Sequence, residues 1–284
     1  DLALDEYPDV ILDMERFSYV VVIDHHKIYH DISSEKTIFI KAQFISSRDP
    51  AAYASSKLAY DLACRVAHMR EFDWVAAIGI VGDCGSGEWG SFLLDVCKNN
   101  GIRPQSDWFK TDIGRVAHMI SCSEAYGISN IPTCIKVMSS AHKPNDVLFS
   151  VLQRYVRPVE DELNYYVKNI KRLAFFDTSL IFYDIKPKYH IKSALSTIIG
   201  QLFLNRTVVI AHTRGRMVSI SARRNDSAIA MNTLLEEAVK GFPQASGGGH
   251  RQSAAARLRK ENYGSVRERI LTQLDYSPIS RTCA

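Results

Sequence analysis

The sequence predicts an α/β protein: a mainly parallel sheet with flanking helices, then a linker helix and a second, smaller α/β domain. Three observations predict it. Short β-branched runs alternate with helical segments along the chain. A long charged helical stretch interrupts that alternation past the middle. The composition, 46% hydrophobic and 23% charged over 284 residues, is that of a globular chain with material for two modest domains.

In chain order, a short stretch with Pro8 near its start leads into Tyr19–Ile23, an apolar, mostly β-branched run that reads as a buried strand. It stops at Asp24, His25 and His26. A second short strand is expected in "KTIFI". The segment "SSRDP" then gives a Ser/Asp/Pro start signal for an Ala-rich amphipathic helix. "WVAAIGIVGDCGSGEWG" closes an apolar run on Asp83 and a glycine-rich loop, and periodicity does not decide between helix and strand there. From about Ile131 to Arg172 the pattern is helical, ending in "VRPVEDELNYYVKNIKRL". Strand-like "SLIFYDI", "RTVVIAHT" and "RMVSISAR" follow, interleaved with helical "SALSTIIGQLF" and "AIAMNTLLEEAVKGF". These boundaries give a first domain over residues 1–150, a linker helix over 151–172 and a second domain over 173–284.

No apolar run reaches the ~18 residues of a membrane span, and no hydrophobic leader opens the chain. A soluble, cytoplasmic chain is the expectation. The six cysteines form no C-x-x-C pair, which argues against a zinc knuckle or a disulfide scaffold and for reduced thiols. The net charge of +4 is unevenly spread. Residues 201–284 hold 13 Lys+Arg against 6 Asp+Glu, a net +7, and the rest holds 22 against 25, a net −3. A polyanionic ligand would account for this, as would a solvated basic face.

Three constellations carry chemistry. Asp24, His25 and His26 close a strand, where α/β sheets bind ligands, and their donor types suit manganese, iron or zinc. Asp83 opens a loop whose glycines let the backbone approach a ligand. "ASGGGHRQSAAARL" places three glycines and His250 before an expected Ala-rich helix start, an arrangement that binds anions. Taken singly, each also reads as an ordinary surface loop or turn. Trp89 reads as packing before base stacking, and Arg48 as part of a helix-start loop before a phosphate contact.

Together and in this order, "VVVIDHH", "GIVGDCGS", "SISARRND" and "SGGGHRQSAAARL" resemble the DHH family of phosphoesterases, in the subgroup with the DHH-associated C-terminal domain that includes RecJ-type exonucleases and nanoRNases. The resemblance covers the chain from Asp1 to about Tyr276. It implies that Asp1, His25 and Asp83 ligate metal, that Asp24 orients the site, and that His26 contacts phosphate, so that Asp24 and His26 are the catalytic pair. In the second domain it implies that Arg223 grips a substrate phosphate and that Gly247, Gly248, Gly249 and His250 close over one. Two manganese ions ~3.5–4 Å apart, with magnesium as the alternative, would activate the attacking water. The implied function is metal-dependent hydrolysis of phosphodiester bonds in single-stranded or short oligonucleotides. The alternatives are a small-nucleotide phosphodiesterase and a RecJ-like scaffold that binds nucleic acid without cleaving it. The partner is single-stranded nucleic acid or a nucleotide, with no membrane, and a homodimer is left open. One departure stands out: the family's opening Asp-x-Asp motif has no counterpart, and the chain begins on Asp1 rather than Met. The expectation is a piece of a longer enzyme, inactive by itself.

Overall fold

The computed structural model describes residues 2–276; the Asp1 assignment lies outside the described residues. The chain divides into two compact units, Asp1–Arg157 and Pro158–Ala284. No helix is long and apolar enough to cross a membrane.

In the first unit, α1 (Pro8–Glu15) begins on a proline, which costs nothing at a first helical position because the N–H it lacks has no partner there. Strand β1 (Val20–Asp24) pairs in parallel with β2 (Thr37–Lys41). Val20, Val22 and Phe39 point to one face, where they pack with Ile11 of α1 and Ile32. The register sets Asp24 directly opposite Lys41. Residues alternate across a strand, so both fall on the buried face, and both are fully buried.

Helices fill the rest of the unit. After the single turn α2 (Ala42–Ile45) and a 3₁₀ turn at Pro50–Ala52 come α3 (Ser55–Val66) and α4 (Asp73–Gly82). The ambiguous apolar run is thus helical. Trp74, Ala76, Ala77, Ile78, Ile80 and Val81 are all buried in α4, which explains why it shows no polar face. Around it lie α5 (Gly90–Asn99), α6 (Asp112–Tyr126), α7 (Ile131–Ser140) and α8 (Pro144–Leu148). The core joins Trp74, Ile80 and Val81 to Leu93, Val116 and Leu152. Five cysteines are described, none in a disulfide: Cys97, Cys122 and Cys134 are buried, Cys64 and Cys84 exposed.

The unit boundary falls inside α9 (Gln153–Lys168), at Pro158. The second unit continues through α10 (Ile170–Leu173), β3 (Phe175–Phe176), β4 (Leu180–Ile185), α11 (Lys192–Leu202), β5 (Thr207–Arg214) and β6 (Met217–Arg223). It ends with α12 (Met231–Val239), β7 (Ser246–Gly249), β8 (Ser253–Arg259) and α13 (Tyr263–Gln273). Its mixed sheet has the order β3-β4-β5-β6-β8-β7, with only β4 and β5 parallel. One face, with Leu180, Phe182, Val209, Val218, Ile220, Ala254 and Leu258, packs on α12 and α13. The other face meets α11.

One expectation fails here. "SAAARLR" is strand β8, not the start of a helix. Ala254, Ala256 and Leu258 are buried while Ala255 and Arg257 are exposed, a period of two that fixes the segment as a strand against the helical preference of alanine.

Candidate functional site

In the first unit the site grows from the end of β1. Asp24 accepts a 2.6 Å hydrogen bond from Lys41 Nζ and a 2.8 Å one from His26 Nδ1. Burial by itself would raise the Asp24 pKa, but these two bonds hold it well below the ordinary carboxylate range. Lys41 Nζ also lies 2.9 Å from Asp5 Oδ1 and donates to the backbone oxygens of His26 and Lys27 at 3.1 and 3.0 Å. The oxygens of Asp24 are thus spent on Lys41 and His26. It ties the histidine loop to Lys41 through these bonds.

His25 is buried, and its ring sits edge-on to that of His26, 4.8 Å between centroids. Its Nδ1 lies 3.2 Å from the Pro50 backbone oxygen. A carbonyl only accepts, so Nδ1 carries the proton and the lone pair of the neutral ring falls on Nε2. This is the tautomer a metal-ligating histidine adopts when its second nitrogen donates to a carbonyl. His26 follows the same logic, with Nδ1 donating to Asp24.

Asp83 caps the C-terminal end of α4 instead of closing a strand. Its N–H bonds Gly79 O at 2.8 Å, and Cys84 then takes a left-handed conformation (φ 60°) that ends the helix. A carboxylate at the negative end of a helix dipole is electrostatically unfavourable, and a cation there would offset it. Asp83 is exposed as a residue, yet burial of its carboxyl raises its pKa, opposed by the charges of His25 and His26. The group therefore lies within electrostatic reach of both histidines. An imidazole nitrogen and a carboxylate are donor types that suit a divalent cation such as manganese.

A clasp joins these parts. The Pro50–Ala52 turn accepts from His25 at Pro50 O, and from Trp89 Nε1 at Ala52 O (2.9 Å). A Cβ on Gly85 would lie 2.7 Å from Ala52 O, so the loop after Asp83 approaches this turn only because residue 85 is glycine. The buried Lys57 ammonium sits 4.3 Å over the Trp89 ring and 4.7 Å over Phe92, and it bonds Asp61. Trp89 is thus committed to packing. Arg48 pairs with Glu88 at 2.9 Å. Asp5, Lys41, Lys57 and Pro50 carried no motif, and sequence reasoning missed them.

In the second unit, Arg223 ends β6, opposite Val208 on one side and Ser253 on the other. A Cβ on Gly200 of α11 would lie 2.7 Å from Arg223 Cδ, so Gly200 leaves the room this side chain occupies. Its neighbour Arg224 is tied to Asp226 by two bonds of 2.6 and 2.8 Å. Gly247, Gly248 and Gly249 form edge strand β7, and His250 opens the turn to β8, with His250 N bonding Ser253 O at 2.7 Å. The proposed anion site at a helix N-terminus does not exist, because β8 follows. The glycines have other causes: a Cβ on Gly247 would lie 3.0 Å from Leu235 O of α12, and Gly249 has φ +137° with Ser253 O 2.6 Å from its Cβ position. As an edge strand, β7 leaves alternate backbone groups outside the ladder.

No family model matches this sequence, and no curated protein does. Solved structures do match. The DHH domain of a member of the S1p family of ribosomal proteins is similar at 16% identity and a TM-score of 0.65, covering 93% of this chain and 65% of that one. RecJ in complex with Mn2+ from Thermus thermophilus is 12% identical with a TM-score of 0.64, over 95% of this chain and 47% of that one. A pGpG-specific phosphodiesterase from Vibrio is 10% identical with a TM-score of 0.51, over 95% and 88%. The chain spans less than two thirds of the length of the first two. The chain has the fold of DHH-domain proteins.

Proposed function

We propose that this chain is the phosphoesterase part of a metal-dependent phosphodiesterase acting on single-stranded or short oligonucleotides. The observation that carries it is the His25 ring, fixed through Nδ1 to Pro50 O so that Nε2 keeps its lone pair, with Asp83 within electrostatic reach. His25 and Asp83 would hold divalent metal, with manganese first and magnesium second; RecJ structures of similar fold are solved with each. When bound, two such ions would act as Lewis acids on the phosphoryl oxygens and lower the pKa of the attacking water.

The chain's own residues do the rest. Asp24, kept ionised by Lys41, holds His26 through Nδ1, and in the doubly protonated ring Nε2–H would donate to a phosphate oxygen. Arg223 supplies a guanidinium suited to a phosphate, and edge strand β7 with His250 supplies backbone and imidazole donors. The similarity to a pGpG-specific phosphodiesterase favours a second reading, in which the substrate is a small nucleotide.

The test is hydrolysis of labelled RNA and DNA oligomers of graded length with manganese. His25→Ala is expected to abolish turnover, and His250→Ala to raise KM or lower kcat by about tenfold or more. Oligomers bound but never cleaved with any divalent metal would instead favour the scaffold reading. Undiminished turnover in His25→Ala would defeat the proposal.

A further inference from the structure

Arg223 is not the only cation on its face of the second sheet. Cross-strand register places His212 opposite Ser219, and Ser219 opposite Arg257, so the three side chains stand in a row on the α11 face of β5, β6 and β8. Lys192, the first residue of α11, reaches into that row, and its Nζ donates to Ile220 O at 3.0 Å. Arg214, one pleat further along β5, donates from Nη1 to His190 Nε2 at 2.9 Å. Over β8 the face is open, with Ala255 and Arg257 exposed.

The cluster is short of negative charge. Among the described residues no ion pair reaches Lys192, His212 or Arg257. The nearest influence of opposite sign is Glu162, and its two oxygens already accept from the backbone N–H groups of Lys188 (2.7 Å) and Tyr189 (2.9 Å). Burial lowers the pKa of Lys192 to about 8, and it lowers that of His212, which the charges of His190, Lys192 and Arg214 depress further. A half-buried ammonium beside other cations is costly unless an anion joins it. Ser219 and Arg223 are four residues apart on one face of β6, about 13 Å at ~3.3 Å per residue, further than one phosphate group can bridge.

We propose that Lys192, His212 and Arg257 form a second phosphate subsite, and that the substrate is an oligonucleotide running along β6 from Arg223 rather than a mononucleotide. The choice of substrate rests on the reading of Arg223 as a phosphate contact; the subsite itself does not.

The experiment measures binding of a fluorescent single-stranded hexanucleotide by the full chain in EDTA at low salt, with AMP as competitor. Arg257→Ala and Lys192→Met are each expected to weaken the hexanucleotide about tenfold, the loss of one charge-assisted hydrogen bond. Each should also reduce the slope of log affinity against log salt by about one, and leave competition by AMP unchanged. Arg257 is exposed, so its variant stays folded even if that of Lys192 does not. Undiminished hexanucleotide affinity in Arg257→Ala would overturn the subsite, as would a parallel loss of AMP or no hexanucleotide binding by the wild type. Arg223→Ala is the separate arm and should weaken both ligands. If it weakens neither, the Arg223 reading fails, and the hexanucleotide data alone decide the subsite.

Discussion

Two lysines withdrawn from water are treated in opposite ways by the two units. Lys41, fully buried in the first unit, is met by Asp24, Asp5 and two backbone oxygens. Lys192, half-buried in the second, has one backbone oxygen and no ion pair among the described residues, and it lies within electrostatic reach of His212. A buried charge is costly unless compensated, so the first arrangement is closed and structural, whereas the second is complete only when an anion arrives. The contrast separates what holds the histidine loop in place from what is set aside for ligand.

The comparison breaks most visibly at Lys41. Lys41→Met would leave the buried carboxylates of Asp5 and Asp24 without their ammonium, held only by Tyr29 N–H and His26 Nδ1, and should cost about 3–5 kcal/mol of stability in urea unfolding. A loss within experimental error would mean that the cluster is hydrated rather than closed. The effect at Lys192 should be smaller and of opposite sign. Its folded pKa of about 8 lies below the ordinary 10.5, so between these values the unfolded chain binds more protons and stability rises with pH. Lys192→Met should therefore match or exceed the wild type in stability at pH 7, with the difference fading toward pH 10.5. A variant clearly less stable at pH 7 would show that Lys192 is a structural cation after all.

What was legible in the sequence was local. The β-branched run ending on Asp24, His25 and His26 announced the strand and marked the candidate site at its end, because strand periodicity and donor residues sit side by side in the chain. The strands around Phe182, Val209 and Ile220 were equally plain. What was not legible depends on register and on distant backbone. Asp24 meets Lys41 only because β1 and β2 pair in parallel without a slip, and nothing in "TIFIK" marks its last residue as a counter-ion. Pro50 serves His25 through a carbonyl oxygen, which every residue has. The apolar run before Asp83 could not be typed, since a helix buried all round has no face to show. At β8 the alternation of Ala254, Ala256 and Leu258 was present but was outweighed by the helical preference of alanine. The alternating burial of that strand is the signal that could have found it, and with it the outward position of Arg257.

The central claim is that the first unit holds divalent metal through His25 and Asp83, while the second unit's cations take phosphate. Titration of Mn2+ into the full chain, followed by the loss of the free-ion EPR signal, tests it most directly. The account predicts saturable binding that falls about tenfold or more in His25→Ala and in Asp83→Asn, and stays at the wild-type level in Arg257→Ala. Wild-type manganese affinity in both His25→Ala and Asp83→Asn would contradict it.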